Sequence, residues 1–312
     1  MKRENILTCI FVFFSISIFA QRPSFLKKDS IRSKLDDSTQ VFYFDKSTLP
    51  KAQPLVVELH SWSNTCHSQT EILAESAHNM GFNYILPNFR GVNNHIKACC
   101  SEYVIADIDE AIDWALDNMN VDKKRIYVIG NSGGGYATLA MYMKSRHEIN
   151  TFSAWSSISD LRKWYDESVE RKNRYGPEIL LCTGSNKPLD NQKAWDRSPL
   201  FWDTPVKKRK NAKLQIFAGI HDGYTGSVPI SHSIDFYNKL LFDYHEKDNE
   251  KYVSVDESNE LVNTQNFVRS GVVQTIDNRK IHFRKSSKNI SINIFEGGHE
   301  ILRNVALDLL NK

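Results

Sequence analysis

Residues 125–136 read RIYVIGNSGGGY. Arg125–Ile129 is an apolar run of the kind that forms a buried strand, and Tyr136–Met143 has helical spacing. Between them stands Gly130-Asn131-Ser132-Gly133-Gly134, a G-x-S-x-G turn. The pentapeptide alone is a weak signal, because a glycine-rich turn cradling phosphate has a similar composition. Its context strengthens it. A serine on a sharp strand-to-helix turn has strained backbone, and small residues two before and two after keep neighbouring Cβ atoms apart. The helix N-terminus beneath it adds partial positive charge where an oxyanion would develop. No G-x-G-x-x-G and no Gly-Lys-Ser/Thr occurs here, so a dinucleotide or P-loop site fits less well. Ser132 is the expected nucleophile.

A serine hydroxyl needs a base, and the base needs an orienting carboxylate. After such a turn the acid and then the base are expected, each at the C-terminal end of a strand. The run Leu214–Ala218 leads into Gly219-Ile220-His221-Asp222, and Ile290–Phe295 leads into Glu296-Gly297-Gly298-His299. Asp222 is the expected acid and His299 the expected base. His221 competes as base but reverses the order; Asp160, after the strand-like run Phe152–Ile158, competes as acid one strand earlier. The oxyanion hole would take the N–H of Gly133 and a second N–H from the loop after Leu55–Leu59. That loop reads His60-Ser61-Trp62-Ser63, and Trp62 is the expected donor.

Outward from this turn the chain alternates strand and helix. Val41–Phe44, Leu55–Leu59 and Tyr84–Leu86 read as strands, with helices over His67–Met80 and Tyr103–Leu116. The second helix carries Asp107, Asp109, Glu110 and Asp113 opposite its apolar face. Pro229–Leu241 reads as a helix with proline in its first turn, and Glu300–Leu310 as a closing helix. Such alternation implies a mostly parallel sheet with helices on both faces. Two stretches break the rhythm, near 161–206 and 249–287, and read as insertions on one domain spanning 21–312. The second contains a hairpin-like pattern turning near Asp277-Asn278.

The chain has 312 residues, 25% charged and 41% hydrophobic, as expected of a folded globular protein. Its net charge of +3 gives no reason to expect nucleic acid or an anionic membrane as partner. Lys2 and Arg3 precede the apolar run Ile6–Ala20, which reads as a signal peptide over residues 1–20. The product is expected to be secreted or periplasmic, with no membrane contact after cleavage. Cys66, Cys99, Cys100 and Cys182 would remain. No C-x-x-C pair occurs, so no metal site is expected. Cys99 or Cys100 is expected to reach Cys182, since both loops leave the same edge of a doubly wound sheet. Cys66 is the competing partner, and free buried thiols are the alternative.

Ser132 in its turn, Gly219-x-x-Asp222 followed by Val228-Pro229, and Gly298-His299-Glu300 resemble the prolyl-oligopeptidase-like branch of the α/β-hydrolases. The resemblance spans about Pro54 to Leu310. It implies an α/β-hydrolase fold and a Ser-Asp-His triad that needs no cofactor. Two departures stand out: five residues separate Asp222 from Val228, and the oxyanion loop lacks its usual glycines. Three functions compete. A secreted esterase acting on an acylated small molecule or polysaccharide, acetyl or feruloyl, is the first. A serine peptidase or amidase is the second, and a binding protein on a hydrolase scaffold the third. About 35 residues between the expected cleavage site and the first core strand are too few for a β-propeller, which disfavours an oligopeptidase. Trp62, Trp155, Trp164 and Tyr224 are expected substrate platforms, because aromatic faces suit sugar rings or aromatic acyl groups.

Overall fold

The computed structural model describes residues 22–69, 73–267 and 274–311. The expected export segment lies outside them. Ten strands form one sheet in the order β1-β2-β4-β3-β5-β6-β7-β10-β9-β8. The parallel centre comprises β3 (Gln53–Leu59), β4 (Asn83–Pro87), β5 (Val121–Asn131), β6 (Thr151–Trp155), β7 (Lys213–Gly219) and β10 (Ile290–Phe295). At one edge β1 (Lys27–Arg32) and β2 (Thr39–Asp45) run antiparallel. At the other, β9 (Arg279–Ser287) pairs antiparallel with β10, and the two-residue β8 (Thr275–Ile276) with β9. Asp277 and Asn278 both have positive φ between β8 and β9, the geometry of a tight hairpin turn.

Side chains alternate across the pleat. Leu55, Val57 and Leu59 enter one core with α2 (Glu102–Asn118), α3 (Gly133–Lys144) and α8 (Ser231–Asp243). Val56, Tyr127 and Ile129 enter the other, with α1 (Ala74–Asn79) and the C-terminal segment. Both faces of the parallel centre are therefore covered, which explains its nearly continuous apolar strands. Helices α4 (Leu161–Glu170), α5 (Tyr175–Thr183), α6 (Asn191–Trp195) and α7 (Val206–Arg209) lie between β6 and β7, and α9 (Val255–Thr264) between α8 and β8. Among the described residues no helix is long and apolar enough to cross a membrane.

Two expectations are corrected. Residues Glu300 to Leu310 are not a helix but a series of turns ending in a 3₁₀ turn, Asp308–Asn311. Ile301, Leu302, Ala306, Leu307 and Leu310 are nonetheless buried on the second core. The apolar spacing was real, but docking on the sheet satisfies it without a regular helix. The helix expected over His67–Met80 is confined, among the described residues, to α1. On the acidic side of α2, Asp113 keeps partial exposure, but the other three carboxylates do not. Asp107, Asp109 and Glu110 are buried. The β1–β2 turn folds over α2, so that Ser33 Oγ donates to Asp107 and the Lys34 N–H to Glu110. Arg90 meets Asp107 through Nε and Nη2, while Ser145 Oγ and the Arg146 N–H donate to Asp109.

Candidate active site

Ser132 sits between β5 and α3 with φ +58° and ψ −119°, a region that costs a non-glycine residue roughly 1–3 kcal/mol. The surroundings hold it there. Its N–H donates to the Trp155 carbonyl at 2.9 Å, and its own carbonyl accepts from Tyr136 N–H at 2.9 Å. A Cβ on Gly130 would lie 2.4 Å from the Gly134 carbonyl carbon, and one on Gly134 would lie 2.1 Å from the Leu59 carbonyl oxygen. The glycines flanking the serine are thus required by backbone proximity. Ser132 follows β5, and Trp62 follows β3. In the sheet β3 and β5 are direct neighbours, so the two loops leave the same C-terminal edge side by side.

The acid and base loops are joined at the ends of β7 and β10. The Ile220 N–H donates to the Phe295 carbonyl at 2.8 Å, and the His221 N–H to the Gly297 carbonyl at 3.0 Å. This places the His299 Nδ1 at 2.7 Å from Asp222 Oδ2. Asp222 is buried, and its Oδ1 accepts the Val228 N–H at 3.1 Å. The long Asp222–Val228 loop has a reason. A Cβ on Gly226 would lie 2.3 Å from Asp222 Oδ1 and 2.6 Å from the His299 Cβ, so the extra residues wrap over the pair and shield it. The rival acid, Asp160, is a helix cap: its Oδ1 accepts the N–H groups of Arg162 and Lys163 at the start of α4.

His221, the rival base, points elsewhere. Its Nδ1 meets Gln265 Oε1 at 2.9 Å and its Nε2 meets Glu296 Oε1 at 2.7 Å. The other oxygen of Glu296 meets His282 Nε2 at 2.7 Å. The Gln265 partner, with Glu296, raises the pKa of His221; hydrogen bonding from His282, with His221, lowers that of Glu296. This cluster braces the two loops from outside the Asp222–His299 pair. Sequence reading did not assign Glu296 a role, although it stands three residues before His299.

Gly133 and Trp62 come together as expected of an oxyanion hole. A Cβ on Gly133 would lie 2.2 Å from the Trp62 nitrogen. Among the described residues neither the Gly133 nor the Trp62 N–H has an acceptor. Three of the four aromatic platforms are corrected. Trp62, Trp155 and Trp164 are essentially fully buried. Trp155 stacks on Phe217 in the core and donates to Ser153 Oγ. Trp164 stacks on Tyr175 and donates to the Ser227 carbonyl. The Trp62 indole donates to Glu178 Oε2 at 2.7 Å. Tyr224 alone is exposed, with its hydroxyl donating to the Val262 carbonyl in α9. Glu178, 116 residues from Trp62, had no local signature.

Residues 68–262, more than half of the chain, match the prolyl oligopeptidase family. The chain belongs to the prolyl oligopeptidase family. The matched span holds Ser132, Gly133 and Asp222, whereas Trp62 and His299 lie outside it and join the site by geometry. No curated protein matches this family member. Among solved structures it is similar to the Pyrococcus horikoshii acylaminoacyl peptidase, at 17% identity and a TM-score of 0.58 over 89% of this chain and 38% of that one. It is similar to a puromycin-hydrolyzing peptidase of Mycobacterium tuberculosis, at 17% identity and TM-score 0.55 over 70% and 34%. Prolyl oligopeptidase B from Galerina marginata gives 15% identity and TM-score 0.54 over 70% and 31%. This prolyl oligopeptidase family member thus spans a little over a third of the length of such structures, or less. The likeness establishes the α/β-hydrolase fold. All three neighbours are peptidases by name, and none is a carbohydrate esterase.

Proposed function

We propose that this family member is a serine peptidase that cleaves an acyl-amide bond. The carrying observation is the 2.7 Å contact of His299 Nδ1 with buried Asp222 Oδ2, while the strained Ser132 stands at the C-terminal end of β5 in the same sheet. Ser132 Oγ attacks the carbonyl carbon while its proton passes to His299 Nε2. The resulting oxyanion accepts the Gly133 and Trp62 N–H groups. Collapse expels the amine, protonated by His299. Water then repeats the sequence on the acyl-enzyme and releases the acid. Asp222 holds the imidazole with Nδ1–H toward it and stabilises the imidazolium. Ester cleavage would use the same steps with an alcohol leaving group. The sugar-ester reading, however, relied on aromatic platforms, three of which are buried, while the neighbours' names favour peptides.

The test is fluorophosphonate labelling, then kcat/KM for acyl-aminoacyl and aminoacyl p-nitroanilides against p-nitrophenyl esters and acetylated or feruloylated glycans. Peptide amides are expected to be cleaved; turnover of glycan esters with no amide cleavage would overturn the peptidase reading. Ser132→Ala should lower kcat by about 10⁴ or more with the fold kept. Export is part of the same proposal, supported by the basic start, the apolar run and the Cys99–Cys182 disulfide. N-terminal sequencing of protein from its own host should begin near Gln21; a start at residue 1 or 2 would sink it.

A further inference from the structure

A closed ring of contacts passes through Trp62. Its indole Nε1 donates to Glu178 Oε2 at 2.7 Å. Glu178 lies on α5, and Cys182 follows one turn later on the same face of that helix. Cys182 is disulfide-bonded to Cys99. The Cys99 N–H donates to Asn93 Oδ1 at 2.7 Å, and the Asn93 N–H donates to the Trp62 carbonyl at 3.0 Å. One arm therefore holds the side chain of Trp62 and the other its carbonyl, and the disulfide joins the arms. The preceding residue is tied separately, with Ser61 Oγ donating to the Asn131 carbonyl at 3.1 Å.

We propose that Glu178 is a positioning residue for the oxyanion hole, which, with the Cys99–Cys182 bond, fixes the Trp62 N–H against Gly133. This rests on the serine-hydrolase reading above. The Trp62 loop has neither regular structure nor glycines to set its path, so its backbone donor is only as well placed as Trp62 itself. A carboxylate accepting the indole N–H makes a charge-assisted bond, stronger than a neutral one. Glu178 reaches in from a helix of the β6–β7 insertion, and the covalent link keeps that helix over the loop after β4. The insertion thus acts on catalysis through its hold on Trp62.

The experiment uses the full chain with its disulfide intact, p-nitrophenyl butyrate as substrate, and an aryl trifluoromethyl ketone, whose hemiketal oxyanion occupies the hole. Glu178→Ala should lower kcat about 10–100-fold, since a misplacement near 1 Å loses about 10². KM should change by less than about threefold, and ketone affinity should fall by the same factor as kcat. Glu178→Gln, which keeps an oxygen acceptor, should restore most of the loss. Trp62→Phe should reproduce the loss, and its combination with Glu178→Ala should add little more. Glu178→Ala with wild-type kcat, or a Gln variant as impaired as the Ala variant, overturns the proposal. Additive losses in the double variant overturn it too, even if the Ala variant folds poorly. Wild-type protein that neither labels with fluorophosphonate nor turns over substrate overturns the underlying functional reading instead.

Discussion

At the scale of single residues, two aspartates at strand ends have opposite fates. Asp222 is buried against His299, whereas Asp160 commits its carboxylate to the first turn of α4. Asp222→Asn should therefore lower kcat by about 10⁴, because the imidazole would be held in the wrong tautomer, with little change in melting. Asp160→Ala should leave kcat within a few-fold and remove about 1 kcal/mol of stability through the lost cap. Parallel urea melts and initial rates separate the two; a larger activity loss at Asp160 would move the acid one strand earlier. Gly133→Ala should cut activity and also cost stability, because the new methyl would press on the Trp62 nitrogen 2.2 Å away. Fluorophosphonate labelling rates would show it.

Elements are joined by buried or bridging charges. Arg90, in the loop after β4, bonds Asp107 on α2, Asp36 in the β1–β2 turn and Ser33 Oγ beside it. Burial pushes the Asp107 carboxyl up despite these partners. Arg90→Ala would leave that carboxylate without its counter-charge, and should destabilise by about 3–5 kcal/mol, read as a lower urea midpoint. The His221–Glu296 pair joins the loops bearing Asp222 and His299, and Gln265 ties it to the end of α9. His221 titrates above its ordinary value of 6.5. Its share of stability is complete below that pH and is lost as pH rises through the raised pKa. Glu296 titrates below its ordinary 4.5, so its share is complete above that pH and is lost as pH falls through the lowered pKa. Both side chains are more than a third exposed, so the effect is modest. Gln265→Ala should bring the His221 midpoint down in an NMR titration; an unchanged midpoint would remove Gln265 as the cause.

Across the whole molecule, two cores clamp the sheet and one disulfide ties an insertion to its edge. The Cys99–Cys182 bond spans 83 residues, from the loop after β4 to α5. Cys66 and Cys100 are free and buried. Burial raises the Cys66 thiol to about 11 and the Cys100 thiol higher still. At pH 8 the folded protein should therefore resist iodoacetamide at both positions. Unfolding without reductant should expose these two to alkylation while Cys99 and Cys182 remain paired. Peptide mass mapping reads this directly, and alkylated Cys99 or Cys182 in unreduced protein would contradict the pairing.

The fold, and the placement of Ser132, Asp222 and His299 after strands, were legible because their signals are local. A strand, a glycine-flanked turn and a helix are contiguous at Ser132, and the acid and base each stand directly after an apolar strand. The hairpin turn at Asp277-Asn278 and the alternatives for Cys182 were legible for the same reason. Which cysteine of the adjacent pair bonds, which aspartate meets the imidazole and which tryptophans see solvent depended on contacts between distant segments. Local composition leaves such contacts open. The spacing of α2 sets its acidic residues apart from its apolar face, but that Arg90 and the β1–β2 turn cover Asp107 is decided by the tertiary structure. Glu178 had no sequence signal, since its meaning lies in reaching Trp62 across 116 residues. Periodicity reports how a segment meets its immediate neighbours, while burial of a charge or an aromatic ring is decided by whatever the rest of the chain folds over it.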